Sequence, residues 1–245
     1  YDEEESGGSV KGDQAVTDRH GRLYTLDEIL LGTPAGGLGR GITSIEWPSA
    51  YNVGSTFVDA VGTQITARVF KSAEMKAVTD DERFFAENPA LSAQIQGICP
   101  YGWHIANFRD WYDLAYAALE ASRGDGTYPV REEMLTIAKL VATNANNVAP
   151  WLRTQEGWNS TPARAAGADA FDFNLYPTGW RLNKNGYGQY GDTAHSWVPL
   201  IGSSAKKTWR LTNVKATSNY WFNDNLDAGN PAVGIRCVKN YKVKK

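Results

Sequence analysis

The chain has 245 residues, 42% of them hydrophobic and 21% charged, with a formal net charge of −2. That length fits one large domain or two small ones, and the composition is ordinary for a soluble globular protein. Scattered Lys and Arg exclude a nucleic-acid footprint, and no apolar run approaches the about 20 residues that a spanning helix needs.

The first residues, Tyr1-Asp2-Glu3-Glu4-Glu5-Ser6-Gly7-Gly8-Ser9, carry neither an initiator Met nor a signal peptide. Acidic and rich in Gly and Ser, residues 1–17 read as a solvated tether. It is either a disordered tail or the linker that follows a lipid-anchored cysteine in an exported lipoprotein. Residues 18–245 read as one domain. Asp18 to Tyr24 is a turn entering a short strand, and Gly32 to Gly41, with five glycines and a proline, is loop. Gln64 to Phe70 alternates as a strand does. Residues 71–96 suggest one or two short helices broken at Asn88-Pro89.

The clearest helix, 107–122, starts at Asn107 with Asp110 in a capping-box position. Trp111, Leu114, Ala115, Ala118 and Leu119 follow its apolar stripe. A second helix is expected over about 131–145, with Met134, Ile137, Ala138 and Val141 on one face. Beyond residue 150 helical periodicity disappears. Bursts such as Phe171 to Tyr176, Ser196-Trp197-Val198, Thr208 to Leu211 and Val233 to Val238 read as short strands between long loops. Helices first and small strands later give an α+β domain.

Cys99 and Cys237 are the only cysteines. With no CxxC and three histidines there is no standard zinc set. The two cysteines are either a disulfide, which would staple the last strand to the middle of the chain, or two buried thiols.

Gln96-Gly97-Ile98-Cys99-Pro100-Tyr101-Gly102-Trp103-His104-Ile105, followed by Asp110-Trp111, resembles the "GICPxGWHxP…EW" signature of the Fibrobacter succinogenes major paralogous domain. Trp158, the block Tyr176-Pro177-Thr178-Gly179-Trp180-Arg181, Trp197 and Gly234-Ile235-Arg236-Cys237-Val238 match in order from about 94 to 240. Asp18 to Tyr24 is similar to the family's opening. Leu31 to Pro48 departs from it, Ala106 stands where Pro is usual, and Asp110 where Glu is usual. The resemblance implies a C-type-lectin-like fold, with two main helices beside a small twisted antiparallel sheet and long loops. It also implies a disulfide between Cys99 and Cys237. That fold hosts sugar, protein and ice binders and some enzymes.

No nucleophile elbow, phosphate loop or HExxH motif is present. His104 is expected to be a packed histidine bonded to a loop backbone, and His20 and His195 to be solvated. Asn223-Asp224-Asn225-Leu226-Asp227 after Trp221 is oxygen-rich. It reads as a capped loop rather than a metal site, so no metal and no cofactor are expected. Trp103, Trp111 and Trp180 read as core, whereas Trp151, Trp158, Trp197, Trp209 and Trp221 lie among Gly, Asn, Thr and Ser. The expected ligand-binding set is Trp197, Trp209 and Trp221 for stacking, with Asn223, Asp224 and Asn225 for hydrogen bonds. The expected function is that of a non-enzymatic, monomeric binding module at the cell surface or secreted, with a glycan as ligand. The membrane is reached only through the lipid tether. The alternative is a structural adhesin or display scaffold that binds a cell-surface protein.

Overall fold

Two reciprocal hydrogen bonds start the longest helix among the described residues. The Asp110 N–H donates to Asn107 Oδ1 at 3.0 Å, and the Asn107 N–H donates to Asp110 Oδ2 at 2.8 Å. Both are donors that a helix start otherwise leaves unpaired. The computed structural model describes residues 23–24, 29, 53–68, 70–122, 136–141, 152–159, 169, 171–181, 187–199, 210–215 and 232–242. Its helices are α1 (Ser72–Lys76), α2 (Asp81–Glu87), α3 (Phe108–Ser122) and α4 (Ile137–Val141). The stripe expected on α3 turns inward, with Trp111, Ala115 and Ala118 buried. The expected helix over 131–145 is described only across α4, whose Ile137 and Leu140 are buried. The expected tether, 1–17, lies outside the described residues.

The expected break at Asn88-Pro89 ends α2. Asp80 caps that helix by accepting the Arg83 N–H at 3.0 Å. Proline disfavours helical backbone in the residue before it, and Asn88 adopts φ −129°, ψ 68°. A 3₁₀ turn, Pro89–Ser92, follows and packs against α3.

The strands pair two by two, all antiparallel: β1 (Thr56–Val58) with β2 (Gln64–Thr66), β3 (Trp103–Ile105) with β8 (Cys237–Lys239), β4 (Trp180–Arg181) with β5 (Tyr187–Gly188), and β6 (Thr193–Val198) with β7 (Arg210–Lys215). The architecture is therefore α+β. The one small sheet of the sequence reading is replaced, among the described residues, by four two-stranded ladders. Isolated bridges tie them together: Val233 to Tyr24, Ala232 to Arg181, and Gly234 to Ser196. Residues 232–239 thus pair, strand to strand, with four separate parts of the chain.

Cys99 and Cys237 form a disulfide across 138 residues, with Cα atoms 5.7 Å apart. The β3–β8 ladder, which sets Ile105 opposite Cys237, runs beside it. The main core gathers around Phe70, Phe85, Ile105, Phe108 and Trp111.

Two expectations fail here. His195 is not solvated: it sits in β6, is 4% exposed, and its Nε2 lies 2.8 Å from Thr193 Oγ1. β6 is covered by β7 along one edge and bridged to Gly234 at Ser196, so every residue of the strand is buried. Trp103 is not core: its ring is 40% exposed, because strand alternation turns it outward as His104 turns inward.

Candidate ligand-binding site

Of the expected ligand-binding set, only Trp197 is among the described residues. It is 4% exposed, and its indole N–H donates to Tyr24 O at 3.2 Å. A stacking platform needs an open ring face, and this ring is closed in by the core. Trp209, Trp221, Asn223, Asp224 and Asn225 lie outside the described residues, as does Trp151. Trp158 is also buried, with its N–H on Thr154 Oγ1 at 3.1 Å and the Arg153 guanidinium 5.4 Å from its ring centre.

Two open concavities lie along α3. The larger, about 670 Å³, runs between α2, α3 and the start of α4. Thr79, Asp80, Asp81, Glu82, Arg109, Tyr112, Asp113, Tyr116 and Thr136 line it. Tyr112 and Tyr116, one turn apart, stack with centroids 6.4 Å apart. The Tyr112 hydroxyl donates to Asp81 Oδ2 at 2.6 Å, and the Ile137 N–H donates to the same oxygen at 3.0 Å. Burial, followed by the Asp81 carboxylate, raises the Tyr112 hydroxyl well above the ordinary tyrosine range.

Arg109 crosses the groove. Its Nε donates to Asp113 at 2.8 Å, and its two terminal nitrogens donate to Glu82 at 3.2 and 3.1 Å. Its guanidinium also lies over the Phe85 ring, 4.5 Å from the centroid. Burial alone would lower its pKa, and the bonds to Glu82 and Asp113 more than reverse that. Every charge in this groove is held by its neighbours, so the wall is shaped in advance.

A second groove of about 360 Å³ lies on the adjoining face of α3. Trp111, Leu114, Ala106, Phe173, Cys237 and Val238 supply apolar walls, and Asp110, Asp113 and Arg236 supply charge. Asp113 is the wall common to both grooves. Trp111 and Phe173 meet edge to face at 6.0 Å. Among the described residues, no group of three or more His, Cys, Asp or Glu side chains is placed to hold a metal.

The family model of the Fibrobacter succinogenes major domain matches residues 1–239. The chain belongs to this family. No curated protein and no solved structure matches it.

The family's signature segments can be followed through this Fibrobacter succinogenes major domain. Gly97 has φ +50° and sits against Ile105 and Ile29 O, where a side chain would collide. His104 is fully buried, as expected, but its bonds go to side chains: Nδ1 lies 3.0 Å from Asn240 Oδ1, and Nε2 lies 3.0 Å from Asp110 Oδ2. With both ring nitrogens engaged and no exposed surface, His104 holds β3, α3 and the C-terminal segment together rather than meeting a substrate. Gly179, in the Tyr176 to Arg181 block, has φ +63° against the Gly188 carbonyl.

The sequence reading passed over Arg109, Tyr112, Asp113, Tyr116 and Arg236. A signal for the first four was available. Arg109 with Asp113 and Tyr112 with Tyr116 are i, i+4 pairs beside the apolar stripe of α3.

Proposed function

We propose that the chain is a non-enzymatic binding module with a C-type-lectin-like fold, displayed at the cell surface or secreted, and that its ligand is a glycan. The observation that carries this reading is the pairing, along one helix, of aromatic rings with fixed carboxylates and a guanidinium. Sugar rings present apolar C–H faces and rims of hydroxyls, so they are recognised by flat apolar walls beside planar polar groups. The larger groove offers Tyr116 beside Arg109, Glu82 and Asp113. Because those side chains already bond to one another, little ordering entropy is lost on binding.

The disulfide supports an oxidising compartment, where such a bond persists. The acidic residues 1–17 suit a tether to a lipid anchor. Trp209, Trp221, Asn223, Asp224 and Asn225 extend the proposal to the loop-rich part of the sequence, by residue type. A second reading, a scaffold that binds a cell-surface protein, is favoured by Tyr101 and Trp103. These are 75% and 40% exposed, two residues apart where a turn enters β3, and aromatic residues are enriched at protein interfaces.

Glycan-array screening of the full chain tests the first reading. Tyr116→Ala should weaken the best hit by about tenfold, from the about 1–2 kcal/mol of a stacked ring, with the fold intact. An array without hits, or a hit indifferent to Tyr116→Ala and Arg109→Ala, refutes the α3 site.

A further inference from the structure

Arg236 differs from Arg109 in what surrounds its charge. Its Nη2 donates to Asn174 O at 2.6 Å, and its guanidinium lies 4.7 Å from the Phe173 ring centre. Among the described residues no carboxylate forms an ion pair with it. Burial lowers its pKa, and Asp169 opposes that only through its nearby charge. Arginine carries five N–H donors in a planar fork, and among the described residues a single bond, to a neutral carbonyl, is made. A half-buried guanidinium with open donors and no counter-ion is an unfavourable arrangement until an anion meets it.

The groove in front of it selects what kind of anion. Trp111, Phe173, Leu114 and Val238 make its sides apolar, and its volume suits one ring-sized group. Apolar walls lower the local dielectric and strengthen a charge-assisted bond. The two carboxylates in the same groove are engaged elsewhere: Asp110 Oδ2 with His104 and the Asn107 N–H, and Asp113 with Arg109.

We propose that this groove binds the carboxylate of an acidic sugar, of the uronic acid class. Arg236 takes the carboxylate in a forked pair of hydrogen bonds, and the partly exposed Phe173, Leu114 and Val238 side receives the C–H face of the ring. This assignment rests on the glycan reading and names its ligand class.

The test titrates the full chain with sodium D-glucuronate, D-glucose and sodium benzoate, following the Trp111 indole N–H and the Val238 amide by NMR. Glucuronate should bind at least about tenfold more tightly than glucose and weaken as salt is raised, as a charge-assisted bond predicts. Arg236→Gln should reduce glucuronate to the level of glucose. Arg236→Lys, which keeps the charge but not the fork, should fall between. Leu114→Trp fills the groove without touching Arg236 and should remove binding, which covers the case in which the Arg236 variants do not fold.

Equal affinity for glucuronate and glucose, or a glucuronate preference that survives Arg236→Gln or Leu114→Trp in folded protein, overturns the proposal and leaves the glycan reading standing. Arg236-dependent binding of benzoate with no sugar bound overturns the sugar assignment and the glycan reading together.

Discussion

Replacing both Cys99 and Cys237 with alanine removes a cross-link between residues 138 apart in sequence. For a loop of that length the entropy model of the unfolded chain gives about 5 kcal/mol at 25 °C. In a domain of this size each kcal/mol moves the melting temperature by roughly 2–4 °C, so the double variant should melt about 10–20 °C lower. The effect acts on the unfolded state, and this sets three signatures. Each single alanine variant should lose nearly as much as the double, because either one breaks the same bond. The denaturant slope should rise, because the uncrosslinked chain exposes more surface on unfolding. Wild-type protein treated with a reductant should match the double variant. Calorimetry and urea titration of the four proteins, with and without reductant, read all of these. If the double variant and the reduced wild type both melt within about 3 °C of the oxidised protein, the staple contributes nothing, and the β3–β8 ladder and His104 contacts alone hold the ends together.

Asp110→Ala removes both the cap acceptor for the Asn107 N–H and the partner of buried His104 Nε2. It should cost about 3–5 kcal/mol as a broken buried network, measured by urea unfolding, and Asp110→Glu should retain part of the loss. Tyr112 and Tyr241 are both raised, first by burial and then by Asp81 and Asp110 respectively. A raised folded-state value means that stability is complete below the unfolded tyrosine value of about 10 and is lost as pH climbs above it. The melting temperature should therefore fall above about pH 10, and Tyr112→Phe should flatten that fall.

What could be read from the sequence depended on the range of the interaction. The Asn107–Asp110 cap spans three residues and α3 repeats its apolar stripe through several turns, so both were visible. The disulfide was visible through the motifs on either side of it. β1 has three residues, too few for a period to register. β6 is buried along its whole length, so the alternation that marks a half-exposed strand is missing, and His195 was misplaced with it. The α3 grooves depend on longer range. Arg109 meets Glu82 across 27 residues, and Arg236 meets Asn174 across 62. Neither juxtaposition follows from spacing. Trp197 has the residue type of a stacking platform, but burial removed it, and composition does not report burial.

Residues 232–239 connect the stability of this domain to its candidate site. The Arg236 carbonyl accepts the Ala106 N–H at 2.8 Å, and the next residue carries the disulfide. Val233 exchanges hydrogen bonds with Tyr24, and Ala232 with Arg181. The guanidinium therefore projects from backbone fixed on both sides of it, opposite a helix whose first turn is capped by Asn107 and Asp110. A site held on such elements keeps its geometry without the ligand, so more of the contact energy is available as affinity. The same coupling runs in reverse. A ligand seated against Arg236 joins α3 to β8 through contacts absent from the unfolded chain, and stabilises the folded state by mass action in proportion to its occupancy. Loosening β8 by reducing the disulfide then acts against binding as well as against folding, because the anion groove and the staple share one short strand.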